Sequence, residues 1–377
     1  MKTHDGQYNL IEILPADNKK AFKEFLNFPF KLYPKKSPWV PPLLKDIREQ
    51  FSPQNPFFKH AEVMPFIAKI NGDTVGRIAA IYNEAHISFH EEKTGFFGFF
   101  DCIDKNEVAQ ALIEKAVQWL RNKGMSLLRG PMNFSTNEEC GLLVEGFDSP
   151  PMLMMPYNFP YYQPLLESCG LKKAKDLLAY ILNIPDRLPE KTYRVARILE
   201  KQKIKVRPIN IKAFGKEMAV LKGIYNSAWE KNWGFVPMTD EEIEHMAKKL
   251  KPLIVPELSL MAECNGEAVG FMMMLPDFNY VLKKLNGRLL PLGILKAIYY
   301  SRKIKNLRLL LLGIKKGYRK QGIDAFLLIE GLKAIRKNGY KKIEFSWVLE
   351  DNYPVQRIIE MVEGRLYKKY RIYEKEI

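Results

Sequence analysis

The stretch 307–328, reading LRLLLLGIKKGYRKQGIDAFLL, constrains this chain more than any other. An apolar run suited to a buried strand enters a short basic loop holding Gly317 and Gly322, and a helical pattern begins directly after it. Strand, turn and helix in immediate succession point to a mixed α/β architecture, because an all-apolar strand needs covering on both faces. The arrangement also has a chemical consequence. Backbone N–H groups of the loop and of the first helical turn converge on one spot, where the helix dipole favours negative charge. Lys315, Lys316, Arg319 and Lys320 are expected to add side-chain cations, so a pyrophosphate is the natural guest.

The same reading extends around this turn. A strand is expected over 204–209, then helices over 213–229 and 239–250, the second opened by Thr239 with Glu242 as capping-box partner. Strands over 258–264 and 268–275 flank Asn265-Gly266, a pair suited to the positive φ angles of a type I′ hairpin turn. After the strand 307–314 come a helix over 324–337, a strand over 341–348, a short helix over 354–362 and a strand over 367–374. The first half repeats the order less regularly. Strands over 66–70 and 74–81 flank Asn71-Gly72, followed by a strand at 95–101, a helix at 107–123 and a strand at 126–130. A long loop, a helix over 161–168 and a closing strand over 177–182 complete it. With 377 residues, two domains are expected, 1–183 and 204–377, joined by a connector at 184–203 that carries Pro185 and Pro189.

Bulk properties fit a folded protein of the cytoplasm: 47% hydrophobic and 27% charged residues, no apolar run long enough to span a membrane, and a polar opening without a signal core. Cys102, Cys140, Cys169 and Cys264 are scattered, which predicts reduced thiols rather than a disulfide framework or zinc site. The formal net charge of +16 implies an anionic partner.

The turn resembles the acyl-CoA signature of the GNAT superfamily, Gln/Arg-x-x-Gly-x-Gly/Ala. Arg319 and Gly322 match it, and Asp324 stands where a small residue is usual. A carboxylate there repels a pyrophosphate unless it turns away to cap the helix. The resemblance implies an α/β (α+β) chain of two tandem GNAT-like domains, each a mixed sheet flanked by helices. It further implies acetyl-CoA or a longer acyl-CoA as donor, an amine as acceptor, and no metal. The donor site it implies runs over Ile314, Lys316, Tyr318, Arg319, Lys320, Gln321, Gly322, Ile323, Asp324 and Ala325, with Asn352 opening the next short helix beside the CoA arm. Where the family often has a tyrosine acid, this chain has Ile359 and Glu360; Glu360 and, as substitutes near in sequence, Tyr353 and Tyr318 are the candidates, and no one of them is assigned.

The first half has no glycine phosphate turn after Asp101 and is expected to be a degenerate unit that shapes the acceptor pocket. Its polar cluster 133–139 offers Glu138 or Glu139 as a base and Asn137 as a substrate contact, or simply a turn-rich loop. Asn226, Trp229 and Trp233 lie in a connection that lines the acceptor site in GNAT folds, with aromatic core packing as the plainer alternative. His86 and His90 in HISFH are expected on a surface loop or strand edge, not as metal ligands.

One interval stands apart. Between Asp277 and Asp324 there is no acidic residue but 12 basic ones, interleaved with Leu, Ile and Tyr across an insertion at 276–306. It reads as a helical cover with its apolar face inward, as an interfacial segment contacting an anionic membrane at the inner face, or, least well supported, as a nucleic-acid groove. The phrases WVPP, GLLVEGFDSPP, LPDFN and YRIYEK resemble a family of bacterial tandem GNAT-like proteins of this length. Related bacterial acyltransferases join fatty acyl groups to long-chain amines. The expectation is therefore an acyl-CoA-dependent N-acyltransferase, with a membrane-surface lipid N-acyltransferase or a non-catalytic acyl-CoA-sensing or RNA-binding protein as alternatives.

Overall fold

The computed structural model describes residues 10–186, 190, 193, 194, 197, 204–230 and 232–377. The connector expected at 184–203 lies mostly outside the described residues. Two compact units form. One holds Met1–Asp176, Asn286–Arg288 and Lys369–Ile377, and the other Leu177–Leu285 and Leu289–Lys368.

In the first unit, strands β1 (Ile11–Pro15), β2 (Ala61–Ile70), β3 (Asp73–Asn83), β4 (Thr94–Cys102) and β5 (Leu127–Gly130) lie side by side in that order. Pairing is antiparallel up to β4, and β4 and β5 are parallel. The place after β5 is taken by residues 373–376 of β13 (Arg365–Glu376), antiparallel, with Tyr373 opposite Gly130. The helix α4 (Asn106–Arg121) buries Val108, Leu112, Ile113, Ala116 and Leu120, a helical stripe that packs with Ile78, Ala80 and Phe97 of the sheet. Among the described residues three α-helices precede it: α1 (Lys19–Leu32), α2 (Leu44–Gln50) and α3 (Glu84–His90). A short α5 (Tyr162–Ser168) follows, and β6 (Leu142–Glu145) pairs with residues 369–371 of β13.

The second unit repeats this plan. Strands β8 (Ile204–Pro208), β9 (Ser259–Cys264), β10 (Glu267–Pro276), β11 (Asn306–Ile314) and β12 (Lys342–Leu349) run in order, with β11 and β12 as the parallel pair. The place after β12 is filled by residues 177–183 of β7 (Lys172–Asn183), antiparallel. The expected closing strands are thus exchanged: 177–182 serves the second unit and most of 367–374 the first. The helices α6 (Phe214–Trp229) and α7 (Asp240–Leu250) precede the hairpin. An insertion carries α8 (Asn279–Leu285) and α9 (Gly293–Ser301), and α10 (Ile323–Lys337) and α11 (Tyr353–Met361) each follow a strand of the parallel pair. One face of the sheet packs Met272, Met274, Leu307 and Ile343 against Phe326, Leu327, Leu328 and Leu332 of α10. Each such aliphatic side chain contributes roughly 1.5–3 kcal/mol on burial.

Local signals act as read. Asn265 and Gly266 have φ of 50° and 83°, and Asn71 and Gly72 have 51° and 84°. The Thr239 hydroxyl accepts the Glu242 N–H at 3.2 Å while the Glu242 carboxylate accepts the Thr239 N–H at 2.8 Å, closing the capping box. The pair HISFH departs from expectation. It is helical, which brings the His86 and His90 rings to 4.3 Å between centroids with their planes tilted by 35°, and burial lowers the His86 pKa to about 4.

Candidate active site

The strand β11 and helix α10 meet at the predicted turn. A single 3₁₀ turn, Lys316–Tyr318, follows the strand, and Gly322, at φ 79°, is the N-cap of α10. A left-handed N-cap suits glycine because a side chain there would crowd the backbone. Lys320 is also left-handed, at φ 63°. The N–H groups at the start of α10 lack carbonyl partners inside the helix, which leaves a concave, anion-seeking end. Asp324 turns inward: its carboxylate accepts the Ala325 N–H at 2.9 Å, which caps the helix but occupies one of these donors.

The cationic side chains are divided differently from expectation. Arg319 turns away from the helix start and donates to the Ser227 and Ala228 carbonyls at 3.0 and 2.8 Å, at the last turn of α6. Lys315 pairs with Glu267 at 2.8 Å, and Tyr318 donates to the same carboxylate at 2.9 Å. The Lys315 bond and then the Tyr318 bond lower the Glu267 pKa. Lys316 and Lys320 remain exposed, and the Lys316 N–H donates to the Ser227 hydroxyl at 3.1 Å. The Gln321 amide donates to the Gly317 carbonyl at 3.4 Å, within the turn. The turn is therefore clamped to α6 by Arg319, with Lys316 and Lys320 left exposed beside its backbone.

Above the turn the parallel strands part. Pairing of β11 with β12 runs from Asn306↔Lys342 to Leu309↔Phe345 and stops. Past this point β11 follows β10 and β12 follows β7. The register with β10 slips between Met273 and Met274, where Leu311 and Leu309 are their partners, so Leu310 is a bulge residue. Among the described residues no strand pairs with β11 on its β12 side from Leu310 to Ile314, and Leu310, Leu311 and Leu312 are half-buried. An extended chain carrying amides fits such an edge, since strand N–H and C=O groups recruit matching partners.

At the apex, where the strands part, sits a buried charged network. The Arg308 guanidinium donates to the Ser346 hydroxyl at 2.8 Å and to the Ser346 carbonyl at 3.2 Å. The Glu344 carboxylate accepts hydrogen bonds from Ser346 and Tyr367. Lys368 and Asp277 are buried and complete the charge set acting on Glu344. Glu344 is fully buried, and desolvation raises its pKa to about 7 against the opposing charge of Arg308. A carboxyl near 7 exchanges protons at physiological pH. Sequence reasoning passed over this network. The available signal was a charge within each apolar strand, Arg308 in LRLLLL and Glu344 in KIEFSWV, which needs a partner if the strand is buried.

Other expected residues fall elsewhere. Trp229 stacks on Tyr225 at 4.8 Å and covers Gly313 of β11, where any Cβ would overlap its ring. It thus packs at the turn end of the strand. The Asn226 side-chain oxygen is buried without a hydrogen-bond partner among the described residues. Trp233 follows α6 in the loop toward α7. Asn352 is the N-cap of α11, Tyr353 begins it at 62% exposure, and Glu360 is exposed near its end, so neither candidate acid joins the buried network. Glu138 and Asn137 belong to the first unit. There Gln50 donates to Glu138 at 3.3 Å, and the Asn137 N–H donates to the Ser135 hydroxyl at 3.2 Å.

The first unit has the same parting of strands but fills it. Pairing of β4 with β5 ends at Phe96↔Arg129. The Met132 N–H then donates to the Phe97 carbonyl at 2.8 Å, and the Asn133 side chain accepts the Phe99 N–H at 2.8 Å. A Cβ on Gly98 would overlap the Met132 carbonyl. Nearby, Asp101 is held by Arg77 at 2.7 Å and by the Tyr33 and Tyr162 hydroxyls at 2.8 and 3.1 Å. The slot that is open in the second unit is occupied by the chain itself here.

No family model matches the chain. It is 36% identical over 366 residues to Protein YghO of Escherichia coli (strain K12), spanning 96% of this chain and 94% of that one. It is 36% identical over 373 residues to a bacterial ceramide synthase of Caulobacter vibrioides, spanning 97% of each. Among solved structures, a tandem GNAT protein from the clavulanic acid biosynthesis pathway superposes with a TM-score of 0.58 at 11% identity, over 97% of this chain and 98% of that one. The shared plan of both units and the near-complete match in length and sequence lead to one conclusion: this chain is a tandem GNAT-fold protein and belongs to the family of the Caulobacter bacterial ceramide synthase and YghO.

Proposed function

We propose that the protein is an acyl-CoA-dependent N-acyltransferase whose acceptor is a long-chain amine. The observation that carries this reading is the parting of β11 and β12 directly above the phosphate-type turn, with Glu344 and Arg308 at the apex. The donor pyrophosphate rests on the start of α10, approached by Lys316 and Lys320. The amide-bearing pantetheine arm lies along the unpaired edge of β11. From Ile314 to the bulge at Leu310 that edge covers roughly 13 Å. An edge N–H beyond Leu309 polarises the thioester carbonyl.

The chemistry needs a neutral amine. The ammonium gives its proton to Glu344, the nitrogen lone pair attacks the thioester carbon, and the tetrahedral intermediate expels the thiolate of CoA. An amide bond forms as the thioester bond breaks, and the second proton lost by the attacking nitrogen is taken up by the departing thiolate, giving neutral amide and free CoA thiol. Orientation supplies much of the rate gain, and the carboxyl near pH 7 supplies the base.

Support for the acceptor class comes from the bacterial ceramide synthase that this chain resembles over its length. A ceramide is the amide of a fatty acid with a long-chain amino alcohol. The test is incubation of the purified protein with acetyl-CoA or palmitoyl-CoA and a long-chain amino alcohol, reading free thiol and amide product by mass spectrometry. Amide formation with the long-chain amine is expected. Tight acyl-CoA binding without thiol release, across short and long amines, would overturn the reading.

A further inference from the structure

We propose that the helix α9, with the residues leading into it, is a docking surface for an anionic lipid leaflet. An ordinary surface helix turns its apolar stripe inward. This one does the reverse. Ile294, Leu295, Ile298 and Tyr299 recur at the spacing of a single helical face, and they are exposed at 45%, 67%, 50% and 55%. Leu290 and Leu292, just before the helix, are exposed at 73% and 63%. Of the readings left open by the sequence, the inward-facing cover holds for Val281 and Leu285 of α8 but not for α9, where large apolar side chains stand together in water, an arrangement that marks an interaction site.

Charge identifies the partner. No acidic residue lies between Asp277 and Asp324, so nothing in this interval offsets its cations. Lys296, Arg302 and Lys303 are exposed on or directly after the apolar face. The Lys303 ammonium lies 4.0 Å from the centre of the Tyr299 ring and donates to its hydroxyl at 2.5 Å, which joins a cation to an amphipathic aromatic. Apolar side chains inserted to the acyl boundary, with lysines and a tyrosine at headgroup level, are the pattern of an interfacial helix on an anionic membrane. A protein partner would match apolar area with its own and needs no exposed cations such as Lys296, Arg302 and Lys303 beside that area. The surface stands on these observations alone and does not rest on the transfer reaction.

The experiment is vesicle flotation of the full chain without CoA, on phosphatidylcholine alone and on phosphatidylcholine mixed with phosphatidylglycerol. Binding to the mixed vesicles is expected, falling as salt is raised because exposed charges are screened within about 10 Å at 0.1 M. Replacing Leu292, Leu295 and Ile298 by Ser is expected to weaken it by about tenfold or more, since their apolar area no longer leaves water. Lys296→Glu with Lys303→Glu should abolish the preference for phosphatidylglycerol. These side chains face solvent, so thermal unfolding of the variants should match the parent; the single change Leu295→Ser, with a several-fold loss, serves if the triple variant does not. Equal behaviour of parent and variants on both vesicles overturns the proposal. So does absence of flotation with self-association lost in Leu295→Ser, which assigns the face to a second copy, or retention only on RNA.

Discussion

Replacing Glu344 by Gln tests the assignment of the base most directly. The change keeps the shape of a side chain held by Ser346 and Tyr367 but removes the titrating group. In the parent, burial raises this carboxyl from 4.5 to about 7. The acylation rate at saturating substrates should therefore climb as pH rises and level off above about 7, where Glu344 is ionised. The Gln variant should lose about 10²–10⁴-fold in kcat and the dependence on this group, with KM for acyl-CoA little changed. Stability gives an independent check. A carboxyl whose folded pKa exceeds its unfolded value binds its proton more tightly in the native state. The parent should thus lose stability relative to the variant as pH rises from 4.5 to about 7, and no further above that. A shift of this size corresponds to about 3 kcal/mol, readable as a pH-dependent gap between the two denaturation midpoints. A kcat within a few-fold of the parent, with an unchanged pH profile, would refute the role; a flat stability difference would refute the shifted pKa itself.

Asp324→Ala frees the Ala325 N–H and removes a carboxylate from the start of α10, so acyl-CoA affinity measured by calorimetry should tighten several-fold, about 1 kcal/mol. Gly313→Ala forces a methyl into the Trp229 ring and should destabilise the fold by about 1–3 kcal/mol. Adding Trp229→Ala should return part of that loss in a double-mutant cycle. Asp101→Asn leaves buried Arg77 without its carboxylate and should cost about 3–5 kcal/mol in chemical denaturation. Acyl-CoA affinity, measured where the variant is still folded, should not change.

The parts of this molecule written locally were legible in its sequence. Asn-Gly hairpins, the Thr239 capping box and the glycine turn before α10 each depend on a few adjacent residues whose backbone preferences are their own. The helix α1 was missed because Pro29 interrupts its pattern in the last turn, although Asn18 caps its start by accepting the Lys20 and Ala21 N–H groups. Distant pairings were not legible either. Nothing in Arg308 or Glu344 announces that β11 and β12 bring them together, because a single charge in an apolar run is also what a strand edge looks like. Arg319 matched a signature position, yet only the placement of α6 shows that its guanidinium serves the Ser227 and Ala228 carbonyls. The exposed face of α9 was ambiguous for a further reason: the same amphipathic pattern is written whether its apolar side is covered or bare.

The exchange of closing strands has a consequence for how the chain is made. Residues 369–377 belong to the first unit, so that unit cannot complete its sheet while the ribosome is still translating the second. Folding of the two units cannot be strictly sequential. Through most of synthesis β5 waits with its edge toward residues 373–376 unpaired, a period in which exposed strand edges invite wrong partners. For the same reason a cut between residues 183 and 204 does not separate two domains; it removes residues 177–183 from one and 369–377 from the other.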